Sequence, residues 1–283
     1  MGVSLPSALP YGTGYVPHRG GVMNGLRRIP HAVLLLSLIL LTGGTAAGAG
    51  MEMQATGKDG PVYLPGGPMP AMDDQVYLHA LLEQAEHRMA GTNQVFTYEG
   101  EAWLGTDENK LWLKSEGTVG KGGGFQDARH EVLYDRPFST YFDWQAGWRI
   151  DLDNGPTRQW AAFGVQGLTL YFFDLEATAY LGTDGRVAAR VEASYDLLLT
   201  NRLILQPRLE TNWYGQSDPA RGLGAGVSNL ETGIRLRYEF ARTFAPYLGV
   251  VYQGAFGRTG TFQQQQGQAA DSVRFLFGLR LWF

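Results

Sequence analysis

The sequence predicts an all-β fold: an antiparallel transmembrane β-barrel of twelve strands behind a short disordered N-terminal leader. Three observations lead there. First, the terminal stretch VRFLFGLRLWF (273–283) alternates with a period of two. Val273, Phe275, Phe277, Leu279, Leu281 and Phe283 fall on one face, and Arg274, Leu276, Gly278, Arg280 and Trp282 on the other. Successive Cβ atoms of a strand point to opposite sides, so an apolar face backed by arginines suits a strand between lipid and a polar lumen. An edge strand of a soluble sandwich could share this pattern, so it does not decide alone. Second, comparable segments repeat to the end of the chain, eleven without the ambiguous stretch 78–89 and twelve with it. Third, the connections between them sort by length onto two ends.

Ahead of these segments lies an export signal. Arg27 and Arg28 precede the apolar run AVLLLSLILL (32–41), and Ala47-Gly48-Ala49 supplies an A-x-A cleavage site. The run is too short for a transmembrane helix, which needs about 20 apolar residues. Met23 would give a signal of ordinary length, which makes residues 1–22 an upstream extension. Residues 50–77 form a Gly- and Pro-rich leader without either period, carrying Met51, Met53, Met69 and Met72. Thioethers are soft ligands suited to Cu(I), although chance composition explains such a cluster about as well.

The strands follow in order. Residues 78–89 (LHALLEQAEHRM) fit a short helix or a strand, and the even strand number of single-chain barrels favours the strand. Residues 94–105 and 110–119 flank a tight turn, and GKGGGF (120–125) is a loop. Residues 129–135 and 141–152 are joined by a turn at 136–139; the second sets Asp143, Gln145, Arg149 and Asp151 against Trp144, Trp148 and Ile150. Asn154-Gly155-Pro156 turns the chain into 158–167 and then 170–181. Asp184-Gly185 is a hairpin turn leading to 186–199. In 202–213, Pro207 cannot donate to a ladder, which predicts a bulge or a local break in pairing. A long loop spans 214–227, a strand 230–240, a turn 241–243, a strand 244–255 and a polar loop 256–270. If the C-terminus is periplasmic, the long connections 120–125, 214–227 and 256–270 lie outside and the tight ones at 136–139, 200–201 and 241–243 lie inside, the asymmetry of outer-membrane barrels.

The inner faces then carry a mixed-sign charge network: Glu99, Glu101, Lys114, Glu116, Asp143, Arg149, Arg190, Glu192, Arg208, Glu210, Arg235, Arg237, Arg274 and Arg280. Charges enclosed in a lumen must be paired or hydrated, which favours a narrow laced interior over a wide selective pore. The chain has no cysteine, which excludes disulfides and thiolate chemistry. Its net charge of −4 is scattered, so nucleic acid is not an expected partner. Nucleophile elbow, Walker loop and HExxH are all absent, and no enzymatic activity is expected.

Several stretches resemble the copper resistance protein B family of bacterial outer-membrane proteins: LLEQAEHR (81–88), EAWLGTDENKLWLKSEG (101–117), DWQAGWRIDLDNGPTRQWAAFGVQGL (143–168), RVAARVEASYDLLLTNRLILQPRLETNWYG (186–215), DPARGLGAG (218–226), LETGIRLRYEFARTFAPYLGV (230–250) and GLRLWF (278–283). The resemblance implies an outer-membrane barrel that binds copper and aids copper tolerance by sequestration or export. It also suggests that Phe283 serves as an assembly signal. A monomer seated in outer-membrane lipid is expected, with periplasmic copper-handling proteins as partners. The family's Met- and His-rich leader is thin here, and its wording after QGL is replaced by TLYFFD (169–174). As soft donors, Met51, Met53, Met69, Met72, His79, His87 and Met89 are the candidate copper ligands, with Cu(I) favoured and Cu(II) also accommodated. A general small-solute channel without metal preference is the alternative.

Overall fold

The computed structural model describes residues 75–152 and 155–283. The signal segment and Met51, Met53, Met69 and Met72 of the leader lie outside the described residues. Twelve strands form one closed sheet: β1 (Tyr77–Ala90), β2 (Asn93–Gly105), β3 (Lys110–Gly120), β4 (Phe125–Pro137), β5 (Phe142–Asp151), β6 (Arg158–Leu168), β7 (Asp174–Gly182), β8 in two pieces (Val187–Ser194 and Leu197–Leu198), β9 (Leu203–Tyr214), β10 (Gly226–Tyr238), β11 (Phe244–Ala255) and β12 (Asp271–Trp282). Each pairs antiparallel with its sequence neighbour, and β12 returns to pair with β1. Ala80 and Phe283 close the ring by exchanging backbone hydrogen bonds of 3.1 and 2.8 Å.

Burial is inverted relative to a water-soluble protein. Phe275 (66% exposed), Leu248 (62%) and Phe163 (61%) stand on the outside, whereas Glu86 and Asp135 are wholly buried inside. An apolar exterior of this extent needs lipid, and it removes the sandwich alternative. The end where β12 finishes carries only short turns, while the other end holds the long connections 215–225 and 256–270 together with the short turns 91–92, 121–124 and 183–186.

β1 is a strand despite its leucines. Its register shifts around Glu83 against both β2 and β12, so Glu83 and Gln84 both reach the interior. This bulge reverses the alternation midway and leaves apolar residues at 78, 81, 82, 85 and 89, a spacing that mimics a helical stripe. At Pro207 the pairing toward β8 breaks, as expected. Tyr195 donates to the Pro207 carbonyl (3.1 Å), but proline has no N–H to return, and β8 is interrupted there. The bulge in β9 itself lies elsewhere, at Asn212/Trp213.

Three boundaries are corrected. Residues 170–173 do not begin a strand: Leu170–Phe172 is a 3₁₀ turn in which Tyr171 (φ 66°) and Phe172 (φ 62°) are left-handed, and β7 starts at Asp174. The segment 214–227 loses its last residues to β10, which starts at Gly226. The polar loop 256–270 contains a helix, α1 (Gly257–Gln265). Thr259 of α1 bonds Gly224 N and Ser228 Oγ, each at 2.8 Å, which docks the helix onto the long loop and β10.

Candidate functional site

The interior is built from every second side chain of each strand, and its charges pair across the lumen. Glu116 on β3 forms ion pairs with its neighbour Arg129 on β4 (2.9 Å) and with Arg190 on β8 (2.9 Å), five strands away around the ring. Arg208 on β9 meets Glu99 on β2 (2.7 Å) and Glu192 on β8 (2.7 Å). Arg190 also reaches Glu192 and Glu210, each at 3.1 Å. Lys114 crosses to Glu176 (2.6 Å) and Arg237 reaches Asp196 (2.7 Å), while Arg280 binds Glu83 (2.6 Å) across the β12–β1 seam. Asp143 takes Lys110 (3.1 Å), and Arg149 binds Asp151 (2.7 Å). Charge-assisted bonds of this kind satisfy groups that would be costly to bury alone. The expected network is therefore largely brought together. Glu101 and Arg274 are the exceptions: among the described residues neither has an oppositely charged group within ion-pair distance, and Arg274 makes one long contact to Ser272 Oγ (3.4 Å).

Sequence reasoning missed the inner half of β1. Glu86, Arg88 and Gln84 are almost fully buried and bind Arg235 and Glu231 of β10. The reversed alternation at Glu83 hid them. Leu133, Trp160, Ala162, Tyr180 and Ala188 form an apolar cluster within the lumen, with Arg149 lying 4.4 Å over the Tyr180 ring. That cluster fills one side of the barrel.

Two cavities stand out among the described residues. The inner one, about 570 Å³, opens toward the short turns and is lined by ten carboxylates against five cations. The outer one, about 890 Å³, lies under α1 and the 215–225 loop, with six carboxylates against five arginines. Glu99, Glu116 and Arg129 line both. At the outer mouth Asp218 anchors the loop by accepting from Arg158 Nε (2.9 Å) and from Arg186. Burial pushes the Asp218 carboxyl up, but these two guanidinium groups outweigh it and hold the carboxyl below its usual range.

The candidate ligands divide. His79 faces the lumen near the inner mouth, stacked on Trp103 (5.8 Å, 6° between planes) and 5.7 Å from Trp282, with its Nδ1 buried and without a hydrogen-bond partner. His87 and Met89 do not join it. The inward neighbours Glu86 and Arg88 place both on the outer face, where His87 lies against Phe277 (5.4 Å) and Met89 pairs with Phe275. Among the described residues no three His, Asp or Glu side chains converge as a metal cage.

Residues 76–283 match the family described as copper resistance protein B precursor (CopB). The chain belongs to the copper resistance protein B family. It is 40% identical over 211 residues to copper resistance protein B of Escherichia coli, covering 75% of this chain and 71% of that protein. The same identity and coverage hold for the copper resistance protein B homolog of Pseudomonas syringae pv. tomato. Among solved structures, the NanC porin (TM-score 0.47, 11% identity) and the KdgM porin (TM-score 0.43, 10% identity) each cover 72% of this chain, and each is itself covered over 99% of its length. Copper resistance protein B relatives indicate a role in copper resistance, and the barrel together with the family fits the outer membrane.

Proposed function

We propose that the barrel contributes to copper tolerance by taking periplasmic copper ions into its inner chamber, for sequestration or export. The observation that carries this is the two-to-one excess of carboxylates over cations around that chamber, at the end bounded by the short turns. A low-dielectric wall lined by one dominant sign concentrates counter-ions. His79, with an unpartnered Nδ1 near the mouth, is suited to receive the ion. The Met51, Met53, Met69 and Met72 thioethers of the leader are the proposed Cu(I) donors ahead of it. His87 and Met89 face lipid and are left out of the ligand set. Copper is cargo here, and the role is non-catalytic. Cleavage after Ala49, a monomeric barrel in lipid and hand-over from periplasmic copper proteins complete the proposal.

Cu(I) binding by the purified full-length protein, measured by competition with a chromophoric chelator, tests it. Binding is expected to weaken about tenfold or more for a Met69/Met72→Leu double variant and for His79→Phe, since each lost soft donor costs about 1.4 kcal/mol or more. Unchanged affinity in a protein lacking residues 50–77 would remove the leader donors and leave the lumen alone. Salt conductance indifferent to copper, without Cu(I) binding, would favour a general small-solute channel.

A further inference from the structure

We propose that the charged belt at the middle of the barrel is an ion gate separating the two chambers, and that Glu116 holds it shut. Glu99, Glu116 and Arg129 belong to the walls of both chambers, which places them at the partition. Three contacts tie the β2–β4 wall to the β8–β9 wall there: Glu116 to Arg190, Glu99 to Arg208, and Arg129 to Asn212 (3.4 Å). Each joins strands five apart in a ring of twelve, so the ties run nearly across the diameter.

Within the belt Glu116 is singular. One oxygen takes Arg129 and the other takes Arg190, so a single carboxylate neutralises guanidinium groups from both walls. Arg190 has Glu192 and Glu210 in reserve, whereas among the described residues Arg129 has no other carboxylate within ion-pair distance. Neutralising Glu116 would leave Arg129 facing Arg190 with like charge, and the walls would separate. The partition would then carry one negative charge fewer, which shifts its preference toward anions. A cation travelling between the chambers must compete with these guanidinium groups for Glu116, which makes the same residue a selectivity element.

Single-channel recording in planar bilayers with potassium chloride tests the gate without reference to copper. Wild-type barrels are expected to conduct weakly. Glu116→Gln is expected to raise conductance several-fold and to move the reversal potential in a salt gradient toward chloride. Arg190→Gln severs the same tie but leaves Glu116 charged, so it should also raise conductance while moving the potential toward potassium. Glu108→Gln, in a turn outside the lumen, is the control. Heat-dependent gel mobility confirms that each variant is folded, and either gate variant suffices if the other does not fold. Wild-type conductance already at the variant level, or a folded variant with unchanged conductance and reversal potential, would overturn the proposal.

Discussion

Arg88 joins two strands that are far apart in the chain. Its guanidinium binds Glu231 twice at 2.9 Å and Glu86 at 2.7 Å, and it is 3% exposed. Replacing it with methionine keeps much of the volume but strips one partner from Glu86, which has no solvent access, and both bonds from Glu231. Breaking a buried pair from one side costs about 3–5 kcal/mol. Arg88→Met should lower the unfolding midpoint in urea accordingly, and an unshifted midpoint would show that water replaces the guanidinium. The charges at Glu99, Lys114, Glu116 and Arg190 were legible in the sequence because their strands keep strict alternation. Those at Glu86 and Arg88 were not, because the bulge at Glu83 moves them out of phase with the leucines before it. Which charges pair across the barrel was not legible at all, since alternation assigns faces and carries no information about distance around the ring.

At the level of single elements, backbone chemistry was legible where a residue type dictates it. Pro207 announced a gap, and the structure places it opposite Tyr195. Pro207→Ala supplies the missing donor, worth about 1 kcal/mol, against roughly 0.4–1 kcal/mol lost through a freer unfolded chain. Stability should hardly change, while the new amide at 207 should be protected in hydrogen exchange; rapid exchange there would mean the two strand pieces stay parted. Asp184-Gly185 likewise turns as expected, with Gly185 at φ 80°. The turn 170–173 was misjudged because its aromatic residues favour a strand, and nothing local marks two non-glycine residues for positive φ. The loop 215–225 carries a pH prediction. The Asp218 carboxyl is held below its usual range, so its stabilising effect is complete above about pH 4, the ordinary carboxylate value, and is lost as pH falls through the depressed one. Protection factors of the Asp218 and Leu223 amides, which bond each other's carbonyls (2.8 and 3.0 Å), should match at pH 5 and 7 and fall only in stronger acid. Asp218→Asn should lower both protection factors at pH 5 and 7, to the level wild type reaches only in strong acid.

For the whole molecule, closure depends on β12 bridging β11 and β1. Removing residues 271–283 would leave two long strand edges open in lipid, where no water satisfies them. Such a truncated chain should show no heat-shifted folded band after refolding into detergent, and a surviving band would mean that β11 can seal directly to β1. This architecture was legible because three kinds of signal agreed: terminal alternation, strand parity and the sorting of loop lengths. The two chambers were not, because their walls depend on which side chains fill the lumen. Trp160, Tyr180 and Leu133 take up one side of it, although alternation marks them only as inward-facing.

The ion pairs that form only once the ring closes also bear on how the chain reaches this state. Arg280 and Glu83 are 197 residues apart in sequence, and Arg88 and Glu231 are 143 apart. Contacts so distant cannot form while the sheet is still a growing ribbon, so its charged face must stay hydrated until the last hairpin arrives. Assembly should therefore be slow and concerted, with the lumen dewetting and its ions pairing in one late step, and a half-built sheet in the bilayer should be the species most exposed to misfolding.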